Sequence, residues 1–106
     1  MIVMDRVNAL APGWSHVLST TDDLAELDAF RRRVGAPRQA FHLRGRRPHL
    51  DLKDGPREMA LVQRDVRVFD RTSDMLRFLR ELREEERRLR EEELQLRKEE
   101  LNLREE

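Results

Sequence analysis

The spacing of apolar and polar positions predicts two strands near the start of the chain. Residues 2–4 are a short apolar run that ends at Asp5, which is typical of a buried strand with a carboxylate at its edge. Residues 14–19 follow a loop that contains a Pro-Gly pair, and they form the second predicted strand. Because side chains alternate between the faces of a strand, Trp14 and His16 are predicted to lie on the same side.

The next segment has the spacing of an amphipathic helix. Apolar residues recur every three or four positions between 24 and 34. Thr20 or Thr21 is placed to cap the start of this helix, and Gly35 is placed to end it in the left-handed conformation. The pattern therefore predicts a helix that stops just before Pro37.

The remaining segments before residue 70 are joined by short connections. They are a weak strand at 40–43, an alternating strand at 49–53, a short helix from Pro56 and a strand at 66–69. In the alternating strand, His49 and Asp51 share one face. This order predicts a small α/β or α+β domain over residues 1–80, with a twisted sheet of about four strands covered by helices.

A long helix that starts near Thr72 is expected to protrude as a charged extension over residues 81–106. Leucines at seven-residue spacing favour a coiled coil or bundle, and therefore a homo-oligomer or pairing with a partner helix. The position that would complete the seam holds Glu86, Glu93 and Glu100, which favours instead a solvated helix with internal ion pairs. The candidate self-association residues are Met75, Leu82, Leu89, Leu94, Leu96, Leu101 and Leu103.

Charge changes this picture, because the chain holds 22 basic and 22 acidic residues and is 42% charged. An average globular protein is about a quarter charged, so we do not expect the whole chain to be globular. The net charge of zero also hides a run of seven arginines without an acid between positions 31 and 47.

Arginine side chains suit phosphate oxygens, so nucleic acid is the leading candidate ligand. The alternative is that these arginines pair with acids of the protein itself. The candidate phosphate-binding residues are Arg38, Arg44, Arg46, Arg47, Arg57 and Trp14.

Other classes of protein are disfavoured. No window approaches the roughly 18 apolar residues of a membrane span, and the first six residues lack the apolar region of a signal peptide. We therefore expect a soluble, cytoplasmic protein without a membrane partner. The absence of cysteine excludes disulfides, thiolate metal sites and cysteine nucleophiles.

A second group of polar residues suggests chemistry. Asp5, His16, His49 and Asp51 are of the types that a general acid–base site or a hard-metal site uses. The competing interpretation is that His49 and Asp51 only orient each other and that Asp5 caps a turn. Convergence of the four residues in a cleft would favour an enzyme. No cofactor is expected apart from a divalent metal ion in that enzyme alternative.

Several motifs resemble a family of small uncharacterised bacterial and phage proteins, grouped as a domain of unknown function. Its members have an apolar strand ending in Asp, a Trp-x-His, a Leu-x-Glu-Leu-x-x-Phe helix ending in Gly, and a Pro-His-Tyr-Asp-Leu segment. Their counterparts here are residues 2–5, 14–16, 24–35 and 48–52, and the likeness covers about the first 80 residues. Leu50 replaces the tyrosine, and the charged tail is an addition. The resemblance implies that Asp5, Trp14, His16, His49 and Asp51 belong to one site, but it implies no activity.

The leading hypothesis from the sequence is a non-enzymatic binding module of bacterial or phage origin. It would hold a phosphate-bearing ligand with its arginines and self-associate through the terminal helix. The main alternative is a metal-assisted phosphoester or nucleotide hydrolase that uses Asp5, His16, His49 and Asp51. A third hypothesis is a purely structural or protein-interaction protein in which the helix is the functional part.

Overall fold

The computed structural model describes residues 1–43, 45 and 47–105. The strands in this part of the chain are β1 (Ile2–Val7), β2 (Trp14–Ser19), β3 (Phe41–His42), β4 (His49–Lys53) and β5 (Val66–Arg71). The α-helices are α1 (Leu24–Arg33), α2 (Asp54–Leu61) and α3 (Thr72–Glu105), and a short 3₁₀ helix spans Arg38–Ala40.

The five strands form one open mixed sheet in the order β3-β4-β2-β1-β5. Strand β1 pairs with β2 in antiparallel and with β5 in parallel orientation. The fold is therefore α+β, which confirms the predicted small sheet with covering helices. About four strands were predicted, and the described residues contain five, because the weak strand predicted at 40–43 is present as β3, with only two residues.

One face of the sheet forms the main hydrophobic core. Alternate residues of β1, β2 and β4 point to this face, and they pack with Leu27 and Phe30 of α1 and Ala60 of α2. Burying a leucine or phenylalanine side chain contributes about 1.5–3 kcal/mol, so these contacts hold both helices against the sheet. The strand residues in this cluster are Ile2, Met4, Val17, Leu50 and Leu52.

Helix α1 begins after a different capping residue from the predicted ones and ends at the predicted glycine. Asp23 caps the helix, and its Oδ1 accepts hydrogen bonds from the backbone N–H groups of Ala25 at 2.9 Å and Glu26 at 3.2 Å. The predicted caps Thr20 and Thr21 were wrong because the aspartate directly before the helix reaches these N–H groups. The predicted end is confirmed, since Gly35 has a φ of +75°.

The chain divides into two compact units, of which the first is Met1–Leu76 and the second begins at Arg77. Met75, one of the candidate self-association residues, is fully buried within the first unit. In the second unit, Leu89, Leu96 and Leu103 are 51%, 65% and 73% exposed, and Leu94 and Leu101 are exposed as well. Self-association through the leucines stays a prediction.

The second unit also forms ion pairs of the kind that the sequence predicts for a solvated helix, although Arg88 pairs with other glutamates than the predicted Glu84. The Arg88 guanidinium lies 2.5 Å from Glu85 and 3.0 Å from Glu92. The side chains of Arg97 and Arg104 pair with the glutamates four residues before them, at 2.6 Å and 2.7 Å. Water screens such exposed pairs, so they favour the helix only weakly and do not fix a partner. Among the described residues, no helix is long and apolar enough to cross a membrane.

Candidate functional site

Strand register brings three of the predicted site residues together on the face of the sheet opposite α1 and α2. Val3 pairs with Leu18 and Met4 with Val17, so the antiparallel register continues to Asp5 beside His16. His16 in turn pairs with Asp51 of β4. Because side chains alternate, Asp5, His16 and Asp51 project from the same side of neighbouring strands. His49 lies two residues from Asp51 on β4 and therefore faces the same way.

The Asp5 carboxylate is fully buried and is held by hydrogen bonds. Its Oδ1 accepts from the backbone N–H of His16 at 2.6 Å. Its Oδ2 lies 2.8 Å from His16 Nδ1 and also accepts from the hydroxyl of Thr72. Burial opposes the charged form, but the hydrogen bonds from His16 and Thr72 outweigh it and hold the pKa of Asp5 below its ordinary value of 3.8.

This contact fixes the protonation pattern of the His16 ring. Since Asp5 is ionised, the hydrogen at the 2.8 Å contact lies on Nδ1 of His16. The neutral ring then carries a lone pair on Nε2. The hydrogen bond to Asp5 raises the pKa of His16 above 6.5, against the effect of burial and with help from the charges of Asp5 and Asp51. His16 is therefore an oriented imidazole whose pKa lies above its ordinary value.

Asp51 joins all three histidines of the chain. Its carboxylate lies 4.0 Å from Nε2 of His16, 3.2 Å from Nε2 of His42 and 3.6 Å from Nε2 of His49. The rings of His42 and His49 are nearly parallel, with their centroids 5.3 Å apart. His49 Nδ1 lies 3.0 Å from the backbone carbonyl of Arg47, which orients that ring. The result is a carboxylate surrounded by imidazole nitrogens.

The geometry separates the predicted metal candidates into two groups. Asp5 lies behind the His16 ring, on the Nδ1 side, whereas His49 and Asp51 lie on the Nε2 side. In the part of the chain that the structure describes, no group of three or more histidine, cysteine, aspartate or glutamate side chains is arranged to hold a metal ion.

A cleft of about 800 Å³ opens beside these residues. His16, His42 and Asp51 lie on its wall. Trp14 also lines it, and the Lys53 ammonium lies 4.9 Å from the centre of the Trp14 ring. A cleft of this size suits a ligand as large as a nucleotide. The other lining residues are Asn8, Leu10, Ala11, Pro37, Gln39, Ala40, Leu52, Asp54 and Pro56.

Neither models of protein families, nor curated proteins, nor solved structures gave a match to this chain. The site is therefore interpreted from its own geometry.

Most described arginines of the basic run contact groups of the protein itself. Arg31 and Arg32 both pair with Asp28, and Arg33 pairs with Asp65. Arg47, whose side chain is only 13% exposed, bonds Asp22 at 2.9 Å and the carbonyl of Ser19 at 3.2 Å.

The other predicted phosphate-binding residues differ in their surroundings. Arg57 bonds the Ser15 hydroxyl at 2.9 Å and the carbonyl of Arg6. Arg38 is exposed between the cleft residues Pro37 and Gln39. Arg44 and Arg46 lie outside the described residues.

Sequence reasoning missed two members of the site. His42 was not among the candidate site residues, but the pairing of β3 with β4 sets it beside His49. Thr72 was named only as the start of the long helix, but its hydroxyl reaches the carboxylate of Asp5, 67 residues away. The signal that could have identified His42 is its residue type, because the chain holds just three histidines. The sequence holds no comparable signal for Thr72.

The Asp5–His16 pair makes the free energy of unfolding depend on pH, both toward higher and toward lower pH. The raised pKa of His16 gives stability that is full below 6.5 and is lost as the pH rises through the folded pKa. The lowered pKa of Asp5 gives stability that is present above 3.8 and is lost as the pH falls through the folded pKa. We expect urea denaturation to show a free energy of unfolding that declines as the pH rises through the pKa of His16 and also as the pH falls through the pKa of Asp5. In His16→Gln the decline at higher pH should be reduced, and an identical decline would contradict this origin.

Proposed function

We propose that this chain binds a phosphate-bearing small molecule, with a nucleotide as the best fit, in the cleft and cleaves a phosphoester bond in it. The observation that supports the proposal most is the pairing of the buried, ionised Asp5 with Nδ1 of His16. Because His16 lines the cleft, its Nε2 is the nitrogen that can contact a ligand there. A general base needs a nitrogen with a lone pair and a fixed orientation, and the hydrogen bond from Nδ1 of His16 to Asp5 supplies both. The same hydrogen bond raises the pKa of His16 above 6.5, which strengthens Nε2 as a base.

In the proposed reaction, His16 Nε2 takes a proton from a water molecule while the oxygen of that water molecule attacks the phosphorus atom of the ligand. The new P–O bond forms while the bond to the leaving oxygen breaks, and that oxygen departs with the electron pair. The Asp5 carboxylate stabilises the imidazolium that forms at His16. We assign His42, which lines the cleft and lies 3.2 Å from Asp51, as the general acid. In its protonated form it donates a proton to the leaving oxygen, and the proton held by His16 passes to solvent after the product leaves.

The cleft offers groups for both parts of a nucleotide. Lys53 and the adjacent Arg38 are cations that suit phosphate oxygens, and the Trp14 ring suits stacking on a base. The side-chain amide of Gln39, which lines the cleft, supplies a donor and an acceptor for the polar edge of a base. This combination favours a nucleotide over an uncharged ligand.

The described arginines favour a small ligand over a long nucleic acid. Binding a polyanion requires several cations that are free to replace counterions. Arg33 and Arg47, by contrast, already pair with acids of the same chain. Lys53 and Arg38 lie close to one cleft, so they suit a single phosphate group or a short chain of phosphates.

Lys53→Ala is expected to weaken nucleotide binding by about 10- to 100-fold, because hydrogen bonds to charged groups contribute about 1.5–3 kcal/mol. The measurement is isothermal titration calorimetry with nucleoside mono-, di- and triphosphates, and with the nucleosides alone. The control is Lys98→Ala, which removes the other lysine of the chain at an exposed position of the second unit. Equal affinity of the Lys53 variant and the wild type, or equal binding of nucleosides and nucleotides, would contradict the assignment.

A metal-assisted form of the same reaction is the second candidate. It is favoured by the convergence of Nε2 from His16, His42 and His49 on the Asp51 carboxylate. It is further favoured by the hydrogen bonds of His16 Nδ1 to Asp5 and of His49 Nδ1 to a backbone carbonyl, because histidine ligands of metals usually make such bonds. The side chains would have to move closer together to form a complete ligand shell.

The two candidates differ in the response of stability to metal ions. The metal-assisted form predicts that Mn²⁺ or Zn²⁺ raises the melting temperature of the wild type by several degrees and leaves Asp51→Asn unchanged. If His16 acts without a metal ion, we expect the same melting temperature with and without these ions. The rate of cleavage should then also be the same after treatment with a chelator.

A further inference from the structure

The first residue of α3 reaches into the site. Thr72 follows β5 directly and donates its hydroxyl to Oδ2 of Asp5, the same oxygen that lies 2.8 Å from His16 Nδ1. The second contact of this hydroxyl, with the carbonyl of Val7, is longer at 3.4 Å. The Asp5 carboxylate therefore depends on β2 for two of its hydrogen bonds and on α3 for the third.

The χ2 torsion of an aspartate is broad, so the angle of the Asp5 carboxylate is set mainly by its hydrogen-bond donors. A third donor from another direction restricts rotation about this torsion. Because Oδ2 is also the acceptor for His16 Nδ1, the hydroxyl that fixes Oδ2 also fixes the angle of the imidazole.

We propose that Thr72 is a positioning residue of the site, which holds the Asp5 carboxylate and through it the direction in which His16 Nε2 points. The proposal rests on the proposed role of His16 in the cleft. It makes the first turn of α3 a part of the site. Met75, one turn further along, is fully buried and anchors that turn within the first unit.

Other groups around His16 act on it from different elements and remain in place when Thr72 is changed. Asp51 and His49 face it from β4, with Asp51 at 4.0 Å from Nε2 and the His49 ring centroid at 5.9 Å. Asn8, after β1, has its amide nitrogen 3.5 Å from His16 Nδ1. His42 reaches the cluster through Asp51. A change in the Asp5–His16 contact that follows substitution of Thr72 can therefore be attributed to the lost hydroxyl.

The test compares Thr72→Val, which removes the hydroxyl with little change of shape, with Thr72→Ser, which retains it. The ¹³C NMR signal of the Asp5 carboxyl group reports its titration in the protein without ligand. We expect the pKa of Asp5 to rise by about one pH unit in the valine variant, because a donor to the charged form is lost. The serine variant should titrate like the wild type. Thr21→Val is the matched control, because its hydroxyl contacts Ser19 instead.

A second readout follows the imidazole. The Nδ1 proton of His16 should give a sharp, slowly exchanging NMR signal in the wild type and the serine variant, and a broadened signal in the valine variant. A residue that only supports folding would lower the melting temperature without moving either the Asp5 titration or this signal. Unchanged values of both in Thr72→Val would overturn the proposal.

Should the valine variant not fold, the unaltered protein still decides the question. A Thr72 hydroxyl bound to a buried carboxylate exchanges slowly with water and is visible by NMR, whereas fast exchange would overturn the proposal. All these measurements use ligand-free protein. Failure to find nucleotide cleavage would therefore count against the proposed function and leave the role of Thr72 to be judged on its own.

Discussion

His16→Gln is expected to reduce phosphoester cleavage by about 10²- to 10⁴-fold, which is the usual contribution of general acid–base catalysis. Glutamine has a similar length and can still donate a hydrogen bond to Asp5, so the fold should be retained. It has no group that can accept a proton at neutral pH. The loss should therefore fall on the rate of the chemical step, with little change in the affinity for the nucleotide.

The measurement is ³¹P NMR of a panel of nucleotides incubated with each protein. The melting temperature of the variant shows whether the fold is intact, and calorimetry shows whether the nucleotide still binds. A folded His16→Gln protein that cleaves as fast as the wild type would remove His16 from the reaction. Loss of binding without loss of the chemical step would assign His16 to ligand recognition instead.

Asp5→Ala is expected to lower the free energy of unfolding by about 3 kcal/mol, the largest effect on stability of any substitution considered for the site. The carboxylate is fully buried and accepts hydrogen bonds from the His16 backbone, the His16 ring and Thr72. Removing it leaves buried donors without an acceptor, and each such donor costs about 1–3 kcal/mol. In a small domain of marginal stability, this change is a large fraction of the total.

Urea denaturation near neutral pH measures this loss, and Asp5→Asn provides the comparison. Asparagine keeps one oxygen that can accept from the His16 backbone N–H, so its cost should be smaller than that of alanine. Its amide group cannot stabilise an imidazolium, so the asparagine variant should also lose the raised pKa of His16. A cost below about 1 kcal/mol for alanine would contradict the view that Asp5 is held by these hydrogen bonds.

Much of the fold follows from alternation and helix signals in the sequence. Residues 14–19 and 49–53 were predicted as strands with the observed limits. Helix α1, between them, ends at the predicted glycine, which has the left-handed conformation. Its start was wrong because Asp23 and Thr21 are both good capping residues, and the chain geometry decides between them.

The candidate site was predicted in part. Asp5, His49 and Asp51 all lie around the His16 ring, since each has a position on a predicted strand whose side chain faces the same side of the sheet. They do not meet at one point, because Asp5 contacts Nδ1 of His16 and the other two lie on the Nε2 side. The contribution of Thr72 could not be predicted, because it depends on the parallel pairing of β5 with β1.

The role of the arginines also required the structure. A run of arginines without acids predicts unpaired cations, but Arg33 and Arg47 pair with aspartates that lie 32 and 25 residues away in sequence. Counting charges over neighbouring positions of the sequence therefore overestimated the positive charge of this part of the surface.

The most direct test of the central claim is a ¹⁵N NMR titration of His16 in the wild type, with and without a nucleotide. We expect the pKa of His16 to lie above 6.5 and the ring to be neutral, with its proton on Nδ1, at pH values above that pKa. The Nε2 signal should shift when a nucleotide, but not the corresponding nucleoside, is added. A proton on Nε2, or an Nε2 signal that does not respond to any nucleotide of the panel, would contradict the claim that His16 faces the ligand as a base held by Asp5.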